Sequence, residues 1–226
     1  MAENKTAEQV QGEHLRALGP TLGPLYHALY NEVTWLHAKW QQYRILFADS
    51  SERVDLLNGV AGFFFHVIQD VLWKDVVLHI ARLTDPPQSV GKDNLTLLRL
   101  SAAIQAPALS VEIANLVAQA RTDAEFARVW RNRHLAHSDL ALAVGDRATP
   151  LPGISRESME RALASLRAVL NRIEEHFWRS EVAFAHFLAS DDAESLAYYL
   201  KVAVDAESRQ RERLLQGRAI PEDFES

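Results

Sequence analysis

Apolar residues along this chain recur at steps of three and four. After Gly23 and Pro24 they fall at Leu29, Val33, Leu36, Trp40, Tyr43 and Phe47, on one face of a helix, and predict a long amphipathic segment. Asp49, Ser50 and Ser51 supply turn and cap chemistry. A second stripe follows through Val60, Phe64, Val67, Val71 and Leu78, with Asp75 on the same line, and its helix is expected to end near Thr84 to Pro87. The loop through Gln88, Ser89, Gly91, Lys92 and Asp93 leads to a short helix near Asn94, and Pro107 marks another break. Residues 108 to 120 read as helix, and Thr122 with Glu125 has the spacing of a capping box for the next one. Past the Pro- and Gly-containing loop from Val144 to Ile154, Ser155 caps a helix whose core series is Leu163, Leu166, Leu170, Ile173 and Phe177. A last helix runs from about Asp192 to Leu215, apolar at Leu196, Tyr199 and Val202 before the charged run Ser208 to Arg213.

Strand signals are nearly absent, so the expected fold is all-α, an antiparallel helical bundle with additional helices. A flexible segment over 1–20, one helical domain over 21–215 and a tail over 216–226 are the expected divisions. The 226 residues suffice for a sizeable core. With 24 Lys+Arg against 30 Asp+Glu the net charge is -6, so any phosphate binding has to be local. The absence of cysteine excludes disulfides, thiolate metal sites and cysteine nucleophiles, and fits a reducing compartment, the cytoplasm. The polar start MAENKTAEQVQGEH lacks a secretory pattern. The apolar stretch from Gly59 to Trp73, interrupted by His66, Gln69 and Asp70, is shorter than a membrane span and reads as a core helix.

Chemistry concentrates in Val129-Trp130-Arg131-Asn132-Arg133-His134-Leu135-Ala136-His137-Ser138-Asp139, with two arginines, two histidines, an asparagine and an aspartate. This segment resembles the motif of the HEPN superfamily, an arginine, a polar residue, four further residues and a histidine, here Arg131, Asn132 and His137. Leu78-His79-Ile80-Ala81-Arg82-Leu83-Thr84-Asp85-Pro86, followed by Asn94-Leu95-Thr96-Leu97, is similar to the AbiU2-type branch associated with abortive phage infection, and the likeness covers roughly residues 25 to 180. It implies a HEPN-like bundle and a metal-independent endoribonuclease acting in phage defence or as a toxin. Arg131, Asn132 and His137 would be catalytic, and Arg128, Arg133, His134 and Asp139 would contact substrate. No cofactor and no metal site are expected. A homodimer and an antitoxin of the nucleotidyltransferase type are the implied partners besides RNA.

Cleavage of RNA without a metal needs a base for the 2′-hydroxyl, a cation for the phosphorane and a proton for the leaving oxygen. A histidine titrating near neutrality supplies the proton chemistry, and an arginine offers a fork of donors to phosphate. In this reading His137 is the acid/base, Arg131 stabilises the transition state, and Asn132 orients the phosphate or the histidine. Positions six apart on an ideal helix differ by about 240° of rotation, so the helix must loosen, Arg131 must curl round, or a second subunit must complete the site. Arg133 and His137 share a face. The alternatives stay open: an inactive HEPN-like module binding a protein, nucleotide or RNA, with the basic motif serving only ion pairs to Glu125 or Asp139. His66, His79, His176 and His186 read as structural, and Glu174, Glu175 and His176 as a solvated face. Asp75 and Asp85 are candidates to orient the basic motif, and Asp85 is equally a turn residue.

Overall fold

A computed structural model describes residues 5–89, 91–135, 153–186, 192–218, 220 and 223. Its elements are helix α1 (Ala7–Phe47), α2 (Ser51–Leu83), a two-residue hairpin pairing Gln88–Ser89 with Lys92–Asp93, a 3-10 turn (Leu97–Arg99) and α3 (Leu100–Ala103). They continue with α4 (Pro107–Asp123), α5 (Glu125–Trp130), a π-helical turn (Arg131–Leu135), α6 (Arg156–Trp178) and α7 (Ala193–Leu215). The fold is all-α apart from the hairpin.

Contacts divide the chain into two units, one from residues 1–39 and 74–187, the other from 40–73 and 188–226. In the first, cross-helix bonds fix the directions. Tyr26 on α1 pairs with Glu174 on α6, and Glu32 and Lys39 on α1 meet His79 and Asp75 on α2. Arg172 on α6 pairs with Glu112 on α4, while Ser165 pairs with Asp123. His37 on α1 also bonds the backbone of Leu163 on α6. Each set of partners runs in opposite senses, so α1 is antiparallel to α2 and α6, and α6 is antiparallel to α4. The seam is aliphatic. On α6 the spacing three and four places Leu163, Leu166, Leu170 and Ile173 inside, all without exposed surface, and Leu29, Val33 and Leu36 of α1 and Ile113 of α4 are equally buried. Each such side chain contributes about 1.5–3 kcal/mol on burial.

The second unit has a small core of Ile45, Leu46, Leu57, Phe65 and Ala193, backed by Phe47, Ala61 and Leu200. Asp192 caps α7 through Glu194 N and Ser195 N, and Arg53 reaches Glu194 with a 2.7 Å bond.

Several expectations change. α1 starts at Ala7, upstream of Gly23, with a break at Gly19 whose φ of 75° is one that glycine adopts without a Cβ clash. Thr122 is not a cap. It lies inside α4, its hydroxyl donating to Ala118 O, and α5 follows from Ala124 with no side-chain cap. The stretch from Gly59 to Trp73 is not a core helix. Val60, Phe64, Val67 and Val71 are exposed, Phe63 is 84% exposed, and Phe65 is the buried member of that run. α2, 33 residues long, is long and apolar enough to cross a membrane by length and composition alone, and little of its apolar stretch is buried. Phe177 also ends the α6 stripe exposed.

Truncating the seam tests this packing. Leu166→Ala is expected to lower unfolding free energy by about 2–5 kcal/mol in a urea titration, because the surrounding helices close the cavity only in part. A loss under half a kcal/mol would place Leu166 outside the core.

Candidate functional site

The site is assembled from the end of α2 and the α5–π segment. α2 stops at Leu83, where a following proline pair forbids continuation and the last carbonyls need donors. Thr96 supplies one: its hydroxyl lies 2.9 Å from Leu83 O and 2.8 Å from Asp85 O. Asn94 Nδ2 donates to Pro86 O at 2.8 Å, and Arg99 Nη2 to Pro87 O at 2.5 Å. The turn carrying Asp85 is therefore clamped from the residues around Asn94 and Thr96.

Asp85 faces Arg131 across 46 positions of sequence. Its Oδ2 accepts from Arg131 Nη1, and both groups are largely shielded, with side-chain exposures of 15% and 23%. Asn132 Oδ1 accepts from Arg131 Nε at 3.0 Å and Nη2 at 2.9 Å. A guanidinium has five N–H donors. Three are used among the described residues, which leaves one on each terminal nitrogen for a ligand. Asp85 Oδ1 is buried and has no hydrogen-bond partner among the described residues, so the carboxylate keeps acceptor capacity.

Arg131 opens the π turn, where bonding shifts to i→i+5 and rotation per residue drops to roughly 80° from about 100°. The helix does loosen, beginning at Arg131. Such bulges cluster at functional sites. His137 and Asp139 lie outside the described residues.

The remaining residues take distinct places. Arg128 is held by Thr84 Oγ1 at 3.2 Å, Arg121 O at 2.7 Å and Glu125, with a side chain only 14% exposed, so three of its five donors are engaged inside the protein. Arg133 is half-buried and engaged. His134 is exposed, edge-on to Trp130 at 5.5 Å, and lines a cavity of about 380 Å³ with Lys74, Asp75, Leu78 and Leu135. Asp75 pairs with Lys39 Nζ at 2.5 Å. Of the two acidic candidates, Asp85 is the one that holds the motif.

The AbiU2 family model of the HEPN group matches residues 20–196. The chain belongs to the AbiU2 HEPN family. No curated protein and no solved structure matches it. Both segments that carried the family likeness, Leu78–Pro86 with Asn94–Leu97 and Arg131–His137, fall within the matched span. Among the described residues no group of three or more His, Asp or Glu is placed to hold a metal ion.

One polar cluster escaped the sequence reading. Glu174 is buried rather than solvated, accepting from Tyr26 Oη at 2.6 Å and from Ser180 Oγ at 3.4 Å. His14 Nδ1 and His27 Nδ1 lie 3.0 Å apart beside it, and His14 Nε2 is 3.9 Å from Glu174 Oε1. Burial, aided by His27, lowers the His14 pKa to about 4, and burial with the Arg167 charge does the same for His37. Desolvation raises that of Glu174. The signal was available: Glu174 stands four residues after Leu170, on the face of the buried stripe.

These shifts set an acid response. In the unfolded chain His14 and His37 ionise near 6.5, so between that value and about 4 the unfolded state binds more protons, and stability falls as pH drops through this window. Glu174 acts in the opposite sense, its folded carboxyl keeping a proton above the usual value and losing that advantage as pH rises. His79, whose pKa burial also lowers, acts in the same sense as the two histidines. Melting temperature should fall between pH 7 and pH 4.5, and the fall should shrink in a His37→Gln variant; an unchanged pH dependence in that variant would remove His37 as a cause.

Proposed function

We propose that this protein is a metal-independent endoribonuclease of the phage-defence or toxin class, with Arg131, Asn132 and His137 as its catalytic residues. The observation that carries the reading is the fixed guanidinium of Arg131, held by Asp85 and Asn132 with two donors to spare, at the head of a π turn in the family's motif. A preorganised cation of this kind stabilises charge that develops on a phosphorane without reorganising first. His137 takes the proton of the 2′-hydroxyl as its oxygen attacks the adjacent phosphorus. The bond from phosphorus to the 5′-oxygen breaks, and a proton passes to that leaving oxygen. His134, opening into the neighbouring cavity, and Arg133 serve substrate contact, and Asp139 belongs to the same segment. Arg128 contributes by bracing α5 against Thr84. Asp85 is the positioning residue.

Charge distribution supports an RNA substrate. The unit that carries the motif, residues 1–39 and 74–187, holds 17 Lys+Arg and 17 Asp+Glu, and the other holds 7 and 13. The whole net charge of -6 thus belongs to the second unit, and the first does not repel phosphate as a body. A homodimer joining two motifs, an antitoxin of the nucleotidyltransferase type and action in the cytoplasm complete the proposal. The acidity of the second unit favours the other reading, an inactive module that binds a partner protein.

The test is incubation of the purified protein with cellular RNA in chelator. Cleavage is expected, with His137→Ala slower by about 10²- to 10⁴-fold at unchanged melting temperature. Arg131→Lys keeps charge but not the fork, and is expected to lose most of the rate. Asp85→Asn should lower the maximal rate and cost about 1–3 kcal/mol of stability. Sedimentation should give a dimer at micromolar concentration. Full activity in the His137 and Arg131 variants would remove both from the mechanism and leave the binding module as the better account.

A further inference from the structure

Among the described residues, a row of exposed large apolar side chains lies on the second unit. Beyond the break at Ala61, Phe63, Phe64, Val67 and Val71 follow the helical steps one, three and four along α2, and with Val60 before the break all are exposed, Phe63 by 84% and Phe64 by 58%. Rows of large apolar side chains on one helix face mark binding surfaces rather than ordinary solvent-facing helix. Beside the ridge runs a groove of about 410 Å³, lined by Leu56, Gly59, Val60, Leu200, Ala203 and Val204. Its floor is open at Gly59, where an added Cβ would meet nothing within 4 Å. Asp55 and Glu207, both exposed, also line it.

Charge selects the occupant. With 7 basic and 13 acidic residues, this unit carries the entire net charge of the chain. A second copy would bring the same acidic surface against itself, and anionic lipid headgroups would be repelled in the same way. A cationic helix meets both demands: its apolar face fills the groove and covers the phenylalanines, and its lysines or arginines lie opposite Asp55 and Glu207. We propose that the α2–α7 groove and the adjoining Val60–Val71 ridge form the docking site for a basic amphipathic helix of another protein. The proposal is independent of the nuclease reading, since no residue of the motif takes part.

The experiment titrates the full chain into two fluorescein-labelled 18-residue helical peptides of the same leucine pattern, one with lysine and one with glutamate at its polar positions. Anisotropy should report binding of the lysine peptide, at least about tenfold tighter than the glutamate peptide and weakened by salt. Phe63→Ser with Phe64→Ser should weaken it at least about tenfold at unchanged melting temperature. Asp55→Lys with Glu207→Lys should invert the preference between peptides, and this variant carries the test if the phenylalanine variant unfolds. Equal affinity for both peptides, or binding indifferent to both variants, would overturn the proposal. So would a vesicle of phosphatidylcholine and phosphatidylserine that binds the chain through Phe63 and Phe64 where the lysine peptide does not. Conversion of a dimer to a monomer by the phenylalanine variant would assign the face to a second copy and overturn it as well.

Discussion

The ion pair between Asp85 and Arg131 is the constraint on which the candidate site depends. A partly shielded guanidinium needs a carboxylate, and a carboxylate at the end of a helix needs that end held still. The hydroxyl of Thr96 and the side chains of Asn94 and Arg99 hold it, through the carbonyls of Leu83, Asp85, Pro86 and Pro87. The two stretches that carried the family likeness are therefore parts of one device: the second clamps a turn, the turn presents Asp85, and Asp85 fixes the arginine of the first. Widening of the helix from Arg131 lets the same short segment present consecutive polar side chains in directions a regular helix does not offer.

Charge is partitioned along the same lines as contacts. A chain with a net charge of -6 is an unpromising phosphate binder only if that charge is spread evenly, and here the unit bearing the motif is balanced while the other is acidic. The acidic unit also exposes the apolar ridge of α2, so the surface that would repel RNA is the one suited to a basic protein partner.

Much of the fold was legible because one period repeats without interruption. The α1 stripe and the α6 stripe as far as Ile173 read true, as did the cap at Ser155 and the start of the last helix near Asp192, since their spacing admits a single helical phase. The α2 stripe misled for a physical reason. Three successive phenylalanines fit any phase, and the non-helical turn at Ala61, between Gly59 and Gly62, resets the face that points inward, burying Phe65 in place of Phe64. Thr122 failed as a cap because α4 runs on through it, and a threonine inside a helix bonds back to the preceding turn as readily as it starts a new one. Within the site, Arg131 and Asn132 stood out by composition, and Asp85 was visible only as a candidate. Its pairing with Arg131 spans 46 positions, and no local pattern encodes a contact of that range.

The central claim, that a fixed arginine and a histidine cleave RNA by attack of its own 2′-hydroxyl, is tested most directly by the chemistry of the ends produced. RNA cut by the purified protein in chelator should carry 2′,3′-cyclic phosphates and 5′-hydroxyls, because the attacking oxygen is internal and the 5′-oxygen leaves with a proton. Fragments ending in 3′-hydroxyls and 5′-phosphates would show water as the nucleophile and contradict the account.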